Sequence, residues 1–266
     1  MNDRWGEPPQ ITEPAPPVSL SSCVPRIRYS GNGAGIKAPS VVLPSKKMNG
    51  RGTGKRETGI TKDSFFTIWR DGAYHIISEN YFYKTEPYYT ILQLELEGKP
   101  VKPSSSSVLD AYVVPVCLER AHLAGIRVCE WGISQGYAPL PAILYGLNYF
   151  AKSSDYVVVN DNEKVKEAIK HITHKGKYPF CYQKLGDDAT IHPCISVFGN
   201  TASACSAVNQ MAKKVYDLFS LPLVTMNLVK YGDQYMLSSL SPAKYSQLTG
   251  EERSLLTAYL SRQEFL

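Results

Sequence analysis

The chain has 266 residues, 43% of them hydrophobic, and a formal net charge of +5. That length supports one substantial core or two modest ones, and no apolar run approaches the ~20 residues that a helical membrane span needs. The amino terminus runs from Met1-Asn2-Asp3-Arg4-Trp5 straight into Pro, Glu and Gln with no apolar leader segment, which reads as a cytoplasmic protein in a reducing compartment.

The charge is unevenly placed. Met1 to Asp63 carries ten Lys/Arg against five Asp/Glu, leaving 19 of each for the remainder, so the whole excess belongs to the first 63 residues. Within Ser21 to Lys62 the basic side chains are Arg26, Arg28, Lys37, Lys46, Lys47, Arg51, Lys55, Arg56 and Lys62, opposed by Glu57 alone. Eight Pro and eight Gly in 63 residues, with almost no hydrophobic periodicity, cannot bury enough apolar surface to offset the entropy of ordering. The expectation is an arm that is disordered or ordered by a partner. Its glycine clusters, Asn32 to Gly35 and Asn49 to Gly54, lack the flanking strand and helix of a phosphate-cradling loop and read as linkers.

Order is expected from Ser64. Phe65–Trp69 and Tyr74–Ile77 form two short strands about the Asp71-Gly72 turn. Between Thr90 and Glu97, Leu92, Leu94 and Leu96 alternate with Gln93, Glu95 and Glu97, the period of a strand with one wet face. Ser104 to Ser107 offers N-caps for a helix reaching Leu123, kinked or split at Pro115. Gly125–Trp131 reads as a strand, Leu140–Ala151 as a helix opened by Pro141, Tyr156–Val159 as a strand and Asn162–His174 as a capped helix. Strands at Tyr178–Lys184 and Ile195–Phe198 precede a long amphipathic helix, Ala202–Phe219. A hairpin of Leu223–Val229 and Gln234–Leu240 and a terminal helix, Gly250–Arg262, close the chain. The alternation predicts an α/β fold: a mixed sheet with flanking helices and a C-terminal β-hairpin plus helix. The expected organisation is an arm (1–63), an N-terminal α/β subdomain (64–152) and a C-terminal α/β subdomain (153–266).

No residue cluster in this pattern carries a complete catalytic or metal motif. The six cysteines lack Cys-x-x-Cys spacing, and five read as small buried hydrophobes. His171 and His174 fall a turn apart among Lys170, Lys175 and Lys177, which describes a solvated basic helix end. His192 and Cys194 share a strand face but lack an orienting group. Asp155, Asn160 and Asp161 flank the strand ending at Val159, where open α/β sheets place ligands.

Met211 to Thr249, with Val215-Tyr216-Asp217-Leu218-Phe219, Leu223 to Val229, Gly232-Asp233-Gln234-Tyr235 and Met236 to Pro242, resembles the closing section of an ATP-grasp ligase of the RimK-like branch. Tyr88 to Ile126 resembles the α/β domain that precedes such modules, and Lys177 to Lys184 the strand bearing the family's nucleotide-binding lysine. The resemblance implies ATP and Mg²⁺, with Lys184, Asn227 and Ser239 approaching the nucleotide and Asp161 or Asp233 as metal-ligand candidates. It also marks departures. Leu237 stands where the family has Glu, Ser239 where it has Asn, Asn227 where it has an acidic ligand, and Gln183 at the usual lysine position with Lys184 beside it. Hard cations need anionic oxygen, so the pattern is that of a degenerate, shortened module.

Two functional readings follow. The first is a non-catalytic binding or scaffold protein, with no cofactor of its own, that uses residues 21–62 to engage a nucleic acid, as in a ribonucleoprotein, or an acidic protein. The second is a reduced ATP-dependent carboxylate-amine ligase. Neither involves a membrane.

Overall fold

The computed structural model describes residues 65–149 and 151–261, all within one compact unit, Glu57–Leu266. The nine basic residues from Arg26 to Lys62 lie outside the described residues. Strands β1 (Phe65–Arg70) and β2 (Ala73–Ser78) form an antiparallel hairpin. Its two-residue turn places Asp71 (φ 50°) and Gly72 (φ 71°) in the left-handed region, the conformation whose twist matches that of the strands. Helix α1 (Glu86–Leu96) returns the chain so that β3 (Val101–Lys102) lies parallel to β2, and helices α2 (Ser105–Tyr112) and α3 (Val114–Leu123) follow.

The serine run behaves as expected: the Ser104 side chain accepts from the Ser107 amide and caps α2. The helix breaks at Val113, which is extended (φ −90°, ψ 100°), so that Pro115, which has no N–H to give the Ala111 carbonyl, falls in the first turn of α3 rather than inside one continuous helix. The 90–97 segment, in contrast, is helix rather than strand. Pro87 in the first turn starts α1, Ile91 enters the core, and Leu96 is left 88% exposed. Leu, Gln and Glu all favour helix, so their alternation carried no strand information.

A second sheet contains β4 (Trp131–Ser134), β5 (Ala142–Gly146), β6 (Tyr156–Val159) and β7 (Phe180–Lys184), in the order β4-β7-β5-β6 and antiparallel throughout. Helix α4 (Asn162–Ile172) covers one face. The expected helix over 140–151 is thus corrected to a central strand. Ala142, Ile143, Leu144 and Tyr145 are buried on both faces of β5, and a short apolar run enclosed on both sides has no polar alternation to reveal it. The expected strand 125–131 begins later: Val128 makes one isolated bridge to Leu237, and the regular strand runs from Trp131.

The third sheet has the order β10-β9-β8, from β8 (Thr190–Val197), β9 (Leu223–Tyr231) and β10 (Gln234–Ser241). Helix α5 (Ser206–Phe219) precedes the β9-β10 hairpin, and α6 (Gly250–Ser261) ends the described chain. The largest core joins α1, α2, α3 and α5 to β9 and β10 through Ile91, Ala111, Cys117, Val215, Phe219 and Leu240. A smaller cluster joins the second sheet to the third through Ile143, Cys181 and Val229. Each fully buried Val, Leu, Ile or Phe among them contributes about 1.5–3 kcal/mol relative to exposure. No described helix is long and apolar enough to cross a membrane.

Candidate functional site

Strand register dictates which side chains meet at the junction of the second and third sheets. Ile143 pairs with Gln183 and Tyr145 with Cys181, so these four share one face, while Ala142, Leu144, Tyr182 and Lys184 share the other. In the hairpin Asn227 pairs with Ser239, and the register shifts between Leu237 and Ser239. That bulge re-aims the chain and lets the hydroxyls of both Ser238 and Ser239 reach Tyr145.

The result is a buried polar centre. Tyr145 Oη lies 2.7 Å from Ser238 Oγ and donates to Ser239 Oγ at 3.3 Å, so the Ser238 hydroxyl is the donor of the first pair. Asn227 Nδ2 also donates to Ser239 Oγ at 2.8 Å, and Ser239 donates onward to the Ser153 carbonyl at 3.1 Å. Gln183 Nε2 donates to the Ser238 carbonyl at 2.7 Å, while Gln183 Oε1 is buried without a partner among the described residues. Gln183, Ser238 and Ser239 are fully buried, and Tyr145 and Asn227 nearly so. Burial holds the Tyr145 phenol far above its ordinary range, which keeps it a neutral donor. Every side chain in the centre is uncharged.

Of the residues marked in the sequence, Asn227 and Ser239 are brought into direct contact here. Lys184 follows Gln183 on the opposite face of β7, exposed, with its ammonium 3.4 Å from Glu130. Asp161 caps α4, accepting from the amides of Glu163 and Lys164 and pairing with Lys164 Nζ at 3.1 Å. Asp233 is exposed in the hairpin turn. His171 and His174 are exposed at the end of α4. His192 Nε2 pairs with Thr190 Oγ1 at 2.9 Å, and burial raises the Cys194 thiol. Tyr145, Ser153 and Ser238 were not singled out by sequence reasoning, and Gln183 was marked only as the residue at the usual lysine position. The available signal was polarity at positions enclosed by apolar neighbours, Gln183 after Phe180-Cys181 and Ser238-Ser239 between Leu237 and Leu240.

No family model and no curated protein matches the sequence. Among solved structures, an ATP-grasp RimK domain protein from Sphaerobacter thermophilus superimposes with a TM-score of 0.50 at 12% identity, covering 66% of this chain and 77% of that one. D-alanine-D-alanine ligase from Helicobacter pylori gives 0.48 at 14% identity, covering 63% and 64%. L-amino acid ligase from Bacillus licheniformis gives 0.43 at 10%, covering 58% and 46%. The chain thus spans less than two thirds of the length of the latter two. The described chain has an ATP-grasp-like fold, and the likeness at these identities is one of fold.

The residues at the polar centre do not fit the Mg²⁺ that this fold implies. A hard divalent cation requires several oxygens, with carboxylates among them. The Asn227 amide and the Ser239 hydroxyl are already bonded to each other, and Leu237 is an apolar side chain buried in the core. No group of three or more His, Cys, Asp or Glu suited to a metal occurs among the described residues.

Proposed function

We propose that this chain is a non-catalytic binding or scaffold protein on an ATP-grasp-like core, and that it engages a polyanionic partner, a nucleic acid or an acidic protein, through the basic segment 21–62. The observation that carries the reading is the neutral, mutually bonded chain from Tyr145 through Ser239 to Asn227 and Ser153. Side chains that satisfy one another at the meeting of two sheets hold those sheets together. They offer a phosphate no positive charge and a cation no negative one. The sequence adds nine basic residues in 21–62 against one acidic residue, a composition that neutralises polyanions and releases counterions.

A specific observation favours a second reading. The likeness to the ATP-grasp RimK domain protein is a likeness to a ligase scaffold, and on fold alone it supports a reduced ATP-dependent carboxylate-amine ligase, with Lys184, Asn227 and Ser239 approaching the nucleotide.

Titration of the purified chain with Mg-ATP by calorimetry, beside copurification with and without nuclease, separates the two. Under the first reading no Mg-ATP binding occurs at micromolar levels, and nuclease or removal of residues 1–62 abolishes salt-sensitive retention of nucleic acid. An acidic protein that replaces nucleic acid in the copurified material keeps that reading and changes the partner. Micromolar Mg-ATP binding that disappears in Lys184→Ala overturns the first reading in favour of the second.

A further inference from the structure

A cavity of about 490 Å³ opens beside the polar centre, between the α2–α3 junction and the chain that leaves β5. Its volume lies in the range of small-molecule sites. The walls are apolar and largely aromatic: Phe82, Tyr83, Leu109, Val113 and Tyr178. The Phe82 and Tyr83 rings stand 5.1 Å apart, tilted by 48°. Leu109 and Val113, one helical turn apart at the end of α2, are each 43% exposed, so the cavity continues into an apolar rim rather than being sealed by it.

Two polar side chains at this cavity, Ser153 and Lys152, have no acceptor among the described residues, whereas Asn148 is engaged, its Nδ2 donating to the Ile172 carbonyl at 3.1 Å. Ser153 lines it and is only 6% exposed. Its carbonyl accepts from Ser239, but its own hydroxyl has no partner among the described residues. Tyr112 also lines the cavity, but its hydroxyl is enclosed in the core, out of reach of that space and without a hydrogen-bond partner among the described residues. Lys152, exposed at the edge, has no ion-pair partner among the described residues. A second ammonium, that of Lys84, stands 4.9 Å from the centre of the Tyr83 ring. A hydroxyl at a cavity wall without a protein acceptor is met by ordered water or by a ligand. Aromatic walls suit a planar ring, and an unpaired ammonium suits an anion.

We infer that this cavity is a binding site for a small aromatic anion, its ring held among Phe82, Tyr83, Leu109, Val113 and Tyr178 and its acidic group placed at Lys152 and the Ser153 hydroxyl. The inference does not rest on the reading of the polar centre: the two share only Ser153, whose carbonyl accepts from Ser239 while its hydroxyl is left for the ligand.

The probes are 2-naphthoate and its neutral counterpart 2-naphthylmethanol, titrated into the full chain and followed by fluorescence. One saturable site is expected, with naphthoate the tighter ligand. Lys152→Ala should weaken naphthoate by about fivefold, the scale of one exposed ion pair, and leave naphthylmethanol within about twofold. Leu109→Trp, which places an indole at the rim, should weaken both by more than about tenfold. No saturable binding to the folded chain overturns the proposal, as does binding indifferent to Leu109→Trp in a variant with wild-type circular dichroism. If that variant does not fold, photolabelling of the wild-type chain with 4-benzoylbenzoate decides. Labelling within residues 82–83, 109–113 or 147–153, suppressed by naphthoate, supports the site, and labelling confined elsewhere overturns it.

Discussion

Tyr145 at the end of β5 and Ser238 in β10, 93 positions apart in the chain, meet in a buried 2.7 Å hydrogen bond between their hydroxyl oxygens. Tyr145 also donates to Ser239, so one phenol links the second sheet to both residues of the bulge in the third.

Removing that phenol oxygen should be felt at once. Tyr145→Phe keeps the ring in its place but leaves the Ser238 hydroxyl without an acceptor and takes a donor from Ser239, at a cost of about 1–3 kcal/mol. Urea unfolding should show a lower midpoint with an unchanged slope. Tyr145→Phe and Ser239→Ala should be non-additive in a double-mutant cycle, with a coupling of about 0.5 kcal/mol or more. Strict additivity would show that the two hydroxyls do not act together.

His75 should make the fold acid-sensitive. It is 2% exposed in β2, with the Phe198 ring 5.9 Å away, and among the described residues neither ring nitrogen has a partner of good hydrogen-bond geometry. Burial is the main cause that lowers its pKa below the usual 6.5; Lys102 from β3 and Arg70 from β1 lower it further, while the Arg70 carbonyl and Asp71 oppose the shift. Above pH 6.5 the ring is neutral whether the chain is folded or not. As pH falls through that value the unfolded chain takes up a proton that the folded one refuses, and stability declines until the depressed pKa is passed, by at most about 1.4 kcal/mol per pH unit. Melting temperatures measured between pH 8 and pH 5 should therefore fall less in His75→Leu than in wild type. Parallel curves would assign the acid sensitivity to other groups.

Gly186 holds a close approach rather than a special backbone angle. A Cβ built there would lie 1.1 Å from the Tyr231 hydroxyl and 2.3 Å from its ring. Gly186→Ala must displace that ring, a cost of about 1–3 kcal/mol for an overpacked site. Adding Tyr231→Ala should recover part of the loss, so that the double variant melts higher than the two single effects together allow. Equal melting temperatures for wild type and Gly186→Ala would contradict the contact.

The thiols provide a probe of opening. Burial raises Cys117 and Cys181 to about 12 and Cys129 to about 11, and only the thiolate attacks an alkylating reagent readily. Iodoacetamide at pH 8 followed by peptide mass spectrometry should leave these three unmodified in the folded chain and modify them at the rate of global unfolding. Fast labelling of Cys117 would mean that the α3 core opens locally.

Much of the architecture was legible because local chemistry and tertiary demand agreed. The Asp71-Gly72 turn, the Ser104 cap, the Asp161 cap and the β9-β10 hairpin each announce themselves through residues whose backbone preference is strong. Two segments misled. Leu92, Leu94 and Leu96 alternate like a strand yet lie in α1, because helix-forming residues placed every second position imitate a strand's period. Ala142 to Tyr145 form the centre of a sheet, where burial on both faces removes any pattern.

By itself the sequence determined the charge partition, the α/β class, the order of most elements, and the neutrality of Asn227, Leu237 and Ser239. Only the tertiary structure decided what those residues touch. Strand register sends Gln183 toward β10 and Lys184 away from it, the bulge at Ser238 supplies a second hydroxyl to Tyr145, and the turn after β5 brings the Ser153 carbonyl to Ser239. A sequence records which donors and acceptors exist. Their pairing across 55, 86 or 93 positions is fixed by how the sheets pack, and that packing is the sum of many small burial terms that no local pattern encodes.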